Sequence, residues 1–180
     1  MNQTKIYQFT LVLKNVDEKT ASLEDSLYEA GCSDALINFR NDAVYLEFDR
    51  ESSSMEEAVI SAIKDVQSSS IDIEVASVAP ENLVTESEIA NRLNKGRQTI
   101  SLWIKGARRK SFPHPVMRVS QKSPLWNWYE VVVWLFKNEL IKDEKMVDEA
   151  LFLANINAAL EEQDKKTRKI RHDLLERIAA

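Results

Sequence analysis

The stretch Glu86–Lys105, ESEIANRLNKGRQTISLWIK, has the spacing of two short helices crossed around a tight turn. Counted from Glu86, Ile89 and Ala90 fall at the fourth and fifth positions, Leu93 at the eighth and Asn94 at the ninth. Ile100 follows at the fifteenth and Trp103 at the eighteenth. Ile89, Leu93, Ile100 and Trp103 then face one another across the helices, and Ala90 is small enough to let them cross closely. Asn94 suits the turn, because its short polar side chain tolerates the left-handed conformation that most residues resist. The second helix is left with an outward face of Arg97, Gln98, Ser101 and Lys105, side chains that bond base edges and phosphates. Lys95 and Gly96 precede it, and a glycine there lets a ligand approach the backbone. The pattern predicts a DNA-binding helix-turn-helix.

Charge is distributed in the same sense. The 180-residue chain carries a net −5, which alone would argue against nucleic acid. Residues 1–83, however, have 6 Lys/Arg against 16 Asp/Glu, a net of −10, whereas residues 84–138 have 10 against 3, a net of +7. Residues 139–180 return to −2, with 8 against 10. Cations gathered on one module are the electrostatic footprint of phosphate binding. Cys32 is the single cysteine, so no intrachain disulfide or Cys-rich zinc site can form, and a reducing cytoplasm is the expected compartment. No apolar run approaches the length of a membrane span, and no signal-like segment opens the chain.

Upstream of the basic stretch the periods alternate between strand and helix. Tyr7, Phe9, Leu11 and Leu13 alternate over residues 5–14, as in a half-buried strand. Residues 20–30 carry Leu23, Leu27 and Ala30 at helical spacing and end at Gly31. Two strand-like runs, 35–40 and 43–49, join through Asn41-Asp42, a tight hairpin signal. Ser54-Met55-Glu56-Glu57 is a capping box opening a helix with Ala58, Ala62, Ile63 and Val66 inward, and Ser68–Ser70 breaks it. Ile71, Ile73 and Val75 then alternate, placing a last strand over 71–78. The order βαββαβ predicts a ferredoxin-like sandwich over residues 1–79, on a four-stranded antiparallel sheet.

Residues 79–82 read as a linker, and Thr85-Glu86-Ser87-Glu88 as a second capping box. Downstream, Arg108, Arg109 and Lys110 precede a non-helical Phe112-Pro113-His114-Pro115. Residues 116–119 and 125–126 flank a polar turn as a small β-wing bearing Arg118 and Lys122. Asn127 caps a helix through Asn138 in which Val131, Val132, Leu135 and Phe136 pack inward. Residues 80–138 are thus expected to form a basic winged helix-turn-helix domain. Residues 139–180 are expected to be helical, with stripes Met146, Ala150, Leu153, Leu160 and, past the charged run 163–169, Ile170, Leu174, Leu175 and Ile178. Such a face must cover a domain or a second subunit.

With these residues in place, residues 83–135 resemble the winged helix-turn-helix of AlpA-type prophage regulators and the wider excisionase group. The resemblance lies in VTESEIANRL, RQTISLWIKG, FPHPV and PLWNWYEVVVWL, and covers about a third of the chain. It implies sequence-specific DNA binding and transcriptional or recombination control. The acidic N-terminal domain and the long C-terminal helices depart from the family's minimal module.

Plainer readings compete at several positions. Arg108–Lys110 could be a solvated loop, but their place beside the recognition helix favours phosphate contact. Trp103, Trp126, Trp128 and Trp134 read as core rather than as base-stacking platforms. His114, between two prolines without a second ligand type nearby, does not read as a metal site, and Cys32 reads as a small buried residue. With three glycines in all and no paired nucleophile and base, the chain is not expected to be an enzyme, to hold a metal or to need a cofactor. The sum is a double-stranded DNA-binding transcriptional regulator, homodimeric, with its C-terminal helices in the interface. Two alternatives stand beside it: an antitoxin-like autoregulator whose acidic N-terminal domain binds a partner protein, and an excisionase-like architectural factor.

Overall fold

Every second side chain along Lys5–Lys14 (β1) is buried from Tyr7 to Leu13, and this strand lies inside the four-stranded sheet of the computed structural model, which describes residues 4–163 and 165–179. The remaining strands are Ala35–Arg40 (β2), Ala43–Ser52 (β3) and Glu74–Ala79 (β4), in the order β2-β3-β1-β4 and antiparallel throughout. Asn41 and Asp42, both at positive φ, close the β2–β3 hairpin as the twist of paired strands requires. Leu23–Glu29 (α1) and Met55–Gln67 (α2) complete the βαββαβ order. Ser54 caps α2 by accepting from the Glu57 N–H at 3.1 Å, while the Glu57 carboxylate bonds the Ser53 hydroxyl. Phe9, Leu11, Leu46, Phe48, Leu27, Val59, Ala62 and Val66 are buried.

Further on come Leu83–Val84 (β5), Glu86–Arg92 (α3), Arg97–Ile104 (α4), Trp126–Asn127 (β6), Trp128–Lys137 (α5), Glu144–Glu161 (α6) and Lys165–Ala179 (α7). The described chain is therefore mixed α+β, with one four-stranded antiparallel sheet and seven helices. It divides into two compact units: residues up to Pro80 together with those from Asn155 onward, and Glu81–Ala154. Residues 139–154 group with the second unit and those from Asn155 onward with the first. Ala150 is buried in the core of the second unit, whereas the Asn157 carboxamide bonds both the N–H and the C=O of Val78 in the first. No described helix is long and apolar enough to cross a membrane.

Three details differ from the periodicity. Thr20 does not begin α1, because its hydroxyl is bound in a turn with the Asp17 N–H and carboxylate at 2.9 and 3.1 Å. β4 starts at Glu74, and an extra residue on β4, Ala76, opposite the Val12–Leu13 step of β1, moves the inward phase from Val75 to Val78. On α7 the stripe Ile170, Leu174, Leu175 and Ile178 is exposed, Ile178 by 81%. Within the charged run 163–169, Asp164 lies outside the described residues.

Cys32 is buried beneath α1, and burial, with the neighbouring Asp65 charge, pushes its thiol up to about 11. The folded value lies above the unfolded one, so stability present below about pH 9 is lost as pH rises toward 11. A thiol reagent at neutral pH should label Cys32 slowly in the native protein and rapidly in denaturant. Equal rates in the two states would show that the thiol is not buried.

Candidate nucleic-acid interface

In the second unit, α3 and α4 are short because caps and turns end them promptly. Thr85 accepts from the Glu88 N–H at 3.3 Å while Glu88 accepts from the Thr85 N–H at 2.5 Å, and these bonds hold the Glu88 carboxyl below its ordinary range. Asn94 closes the turn at φ 48, and Lys95 N–H returns to the Ala90 carbonyl at 2.9 Å. Gly96 is the N-cap of α4 with φ −64, a value open to any residue, and an added Cβ would meet nothing within 4 Å. The fold itself does not require glycine there.

Ile89, Ala90, Ile100 and Trp103 are buried in one core, and Leu93 packs against it half-buried. Arg97, Gln98 and Lys105 are exposed and Ser101 half-exposed, so the outward set at i, i+4 and i+8 stands clear of that core. Two members need qualification. Arg97 lies 3.8 Å from Glu86, a loose pairing that leaves its side chain 70% exposed. Lys105 is the C-cap of α4 rather than part of its body.

Aromatic rings hold the segment after α4. Trp103 lies 5.5 Å from Trp134, which meets Phe112 edge to face at 4.9 Å. The Trp134 and Trp126 indole N–H groups donate to the Lys110 and Pro113 carbonyls, each at 3.1 Å. All four tryptophans that the sequence assigned to the core serve in this unit, three as members of this scaffold and Trp128 beneath Arg92. Arg108, Arg109 and Lys110 are exposed above the rings, but Arg109 also donates to the Asn138 carbonyl at 3.2 Å and so ties the loop to the end of α5. No family model, curated protein or solved structure matches the chain.

The segment expected to be a wing is a narrow antiparallel pair. Val116 N–H donates to Leu125 O at 2.8 Å, Leu125 N–H to Met117 O at 2.9 Å, and Arg118 and Gln121 close the turn at 2.9 Å. Arg118, at φ 52, and Lys122 are exposed at this turn. β5 pairs with β6 beside it, a two-residue strand too short to leave a pattern. Asn82, read as linker, instead anchors the start of α5 by accepting from the Trp128 N–H at 2.7 Å and the Tyr129 N–H at 3.2 Å.

The electrostatics sharpen at this scale. From Ile89 to Tyr129 the chain has nine Lys/Arg and no carboxylate. Over the whole unit Glu81–Ala154 the balance falls to 12 against 9, because residues 139–149 are acidic. Among the nine cations, Arg92 is turned inward. Its guanidinium lies 5.1 Å from the Trp128 ring and donates to the Glu81 carbonyl at 2.8 Å, so it holds the fold together. An arginine at the last turn of α3, one residue before inward Leu93, was the signal that could have marked it.

Proposed function

We propose that the chain is a sequence-specific double-stranded DNA-binding transcriptional regulator. In this reading the second unit is a winged helix-turn-helix with α4 in the major groove, and the first is a ferredoxin-like sandwich. The observation that carries it is the outward set Arg97, Gln98, Ser101 and Lys105 on α4, backed by buried Ile100 and Trp103, within a segment of nine cations and no carboxylate. The strand order β2-β3-β1-β4 supports the ferredoxin-like reading, and the likeness of residues 83–135 to AlpA-type regulators supports the other. Arg97 and Gln98 read bases from the first turn of α4. Lys95, Gly96, Arg108, Lys110, Arg118 and Lys122 meet phosphates, and Arg109 both holds the loop and adds charge. A homodimer sets two such helices on half-sites about 34 Å apart.

Selection of bound sites from random duplex DNA with the full chain tests the reading, and recovery of no preferred sequence would end it. At the selected site, Arg97→Ala is expected to cost about 1–3 kcal/mol and to relax preference at one base position. Arg108→Ala should weaken selected and scrambled duplexes alike and lower the salt slope by about one unit. If Arg97→Ala lost both duplexes equally, Arg97 would be a phosphate clamp and specificity would lie elsewhere.

A further inference from the structure

The two edges of the four-stranded sheet are finished differently. On β4 the Asn157 side chain imitates a neighbouring strand: the Val78 N–H donates to its Oδ1 at 2.7 Å and its Nδ2 donates to the Val78 carbonyl at 2.9 Å. β2 has no such cover among the described residues. The Asp49 N–H donates to Asp34 O at 3.2 Å, and in the same register Leu36 faces Glu47 and Asn38 faces Tyr45. Alternation therefore turns the N–H and C=O of Ile37 and Phe39 away from β3, toward open solvent. Free edges are ordinarily blunted by lysine, proline or a bulge, yet Ala35–Phe39 reads ALINF.

One edge carries both a projection and a recess. Phe39 is 40% exposed near the hairpin end. At the other end a groove of about 400 Å³ runs between α1 and β2, lined by Leu27, Tyr28, Cys32 and Ala35, with Glu24 and Asp25 at its rim. Phe39 does not line it, and Tyr28 above it is 70% exposed.

We propose that β2 pairs antiparallel with β2 of a second copy, about a twofold axis at Ile37, to give a continuous eight-stranded sheet. Ile37 then faces its own counterpart, Ala35 faces Phe39 of the second copy, and Asp34 faces Arg40. The Phe39 ring enters the groove beside the small Ala35, twice by symmetry, while strand alternation turns Arg40 to the opposite face. Two bonds form between the Ile37 residues and two from Phe39 N–H to Ala35 O. The Ala35 N–H stays with Cys32 O at 3.1 Å. Neighbouring registers fit worse: an axis at Asn38 opposes Asp34 to Asp42, and one at Leu36, like one at Asn38, centres the pair on a residue whose backbone groups face β3. Projection and recess lie two residues either side of Ile37, and that self-complementarity identifies the occupant as a second copy rather than a foreign strand. The proposal rests on the first unit alone and stands or falls separately from DNA binding.

Light scattering of the full chain over a concentration series tests it. The wild type should be a dimer, Phe39→Lys should raise its dissociation constant at least about tenfold, and Leu174→Lys on exposed α7 should leave it unchanged, with circular dichroism as folding control. Facing Cα atoms in such a pair lie about 5.5 Å apart, within disulfide reach, so Cys32→Ala/Ile37→Cys should oxidise to a covalent dimer. A monomeric wild type, a Phe39→Lys dimer of unchanged strength, or no cross-link would each overturn the proposal.

Discussion

Replacement of Trp103 by alanine is expected to destabilise the second unit by about 3–5 kcal/mol, the range for emptying a buried indole site. Its ring is buried together with Ile100, and it is the contact through which α4 meets Trp134 at 5.5 Å. Trp134 in turn meets Phe112 at 4.9 Å and holds the Lys110 carbonyl at 3.1 Å. The cavity therefore loosens α4 and the basic loop together, and affinity for every duplex falls with the fold rather than at one base position. All four tryptophans lie between residues 103 and 134, so denaturant titration followed by the fluorescence of the remaining three reports this unit directly. Trp103→Phe should lose less, because a smaller void is left. Unchanged stability in Trp103→Ala would mean that the inward register of α4 has been misassigned.

Local pattern and distant pairing were unequally legible. Tyr7, Phe9, Leu11 and Leu13 announce β1 because one buried face imposes a period of two, and Asn41-Asp42 announces its hairpin because few residues accept positive φ twice in succession. The α3–α4 pair was legible for the same reason, each inward residue being dictated by helical spacing. The inward phase of β4 was not, because only its pairing with Val12 and Leu13 reveals that Ala76 is an extra residue. Nor could the sequence show Asn157 against Val78, where 79 residues separate the two ends of the bond. At the interface, side-chain types were readable but their engagements were not. Arg109 and Arg92 look like any loop or helix cation until the Asn138 carbonyl and the Trp128 ring are beside them.

Arg50 lies one residue past the strand expected over residues 43–49, on a β3 that runs on to Ser52, and its loss is expected to be nearly as costly to the first unit. It follows Val44, Leu46 and Phe48 on the inward face of β3, where a cation must be neutralised, and it is 8% exposed. The Asp34 carboxylate accepts from its Nε and Nη2 at 2.8 and 2.9 Å, and Asp65 accepts from Nη1 at 2.7 Å. Ser61 Oγ and the Gly31 carbonyl accept at 3.1 and 3.3 Å, and the guanidinium lies 4.9 Å from the Phe48 ring. The Asp34 bonds first, with burial opposing, hold its proton more firmly than in a free arginine, so acid and base near neutrality leave the cation intact. Arg50→Ala removes that charge and leaves two carboxylates facing a void, at a cost of about 3 kcal/mol, toward the low end for a broken buried pair because both aspartates reach solvent. Arg50→Lys should fall between, since an ammonium cannot bond both carboxylates through a planar fork. Adding Asp34→Asn and Asp65→Asn to Arg50→Ala should restore part of the loss by removing the stranded like charges. Urea denaturation followed by far-ultraviolet circular dichroism measures all four chains. If Arg50→Ala unfolded at the wild-type midpoint, the guanidinium would be a passenger on the sheet and not the link that holds Asp34, Asp65 and the Gly31 turn together.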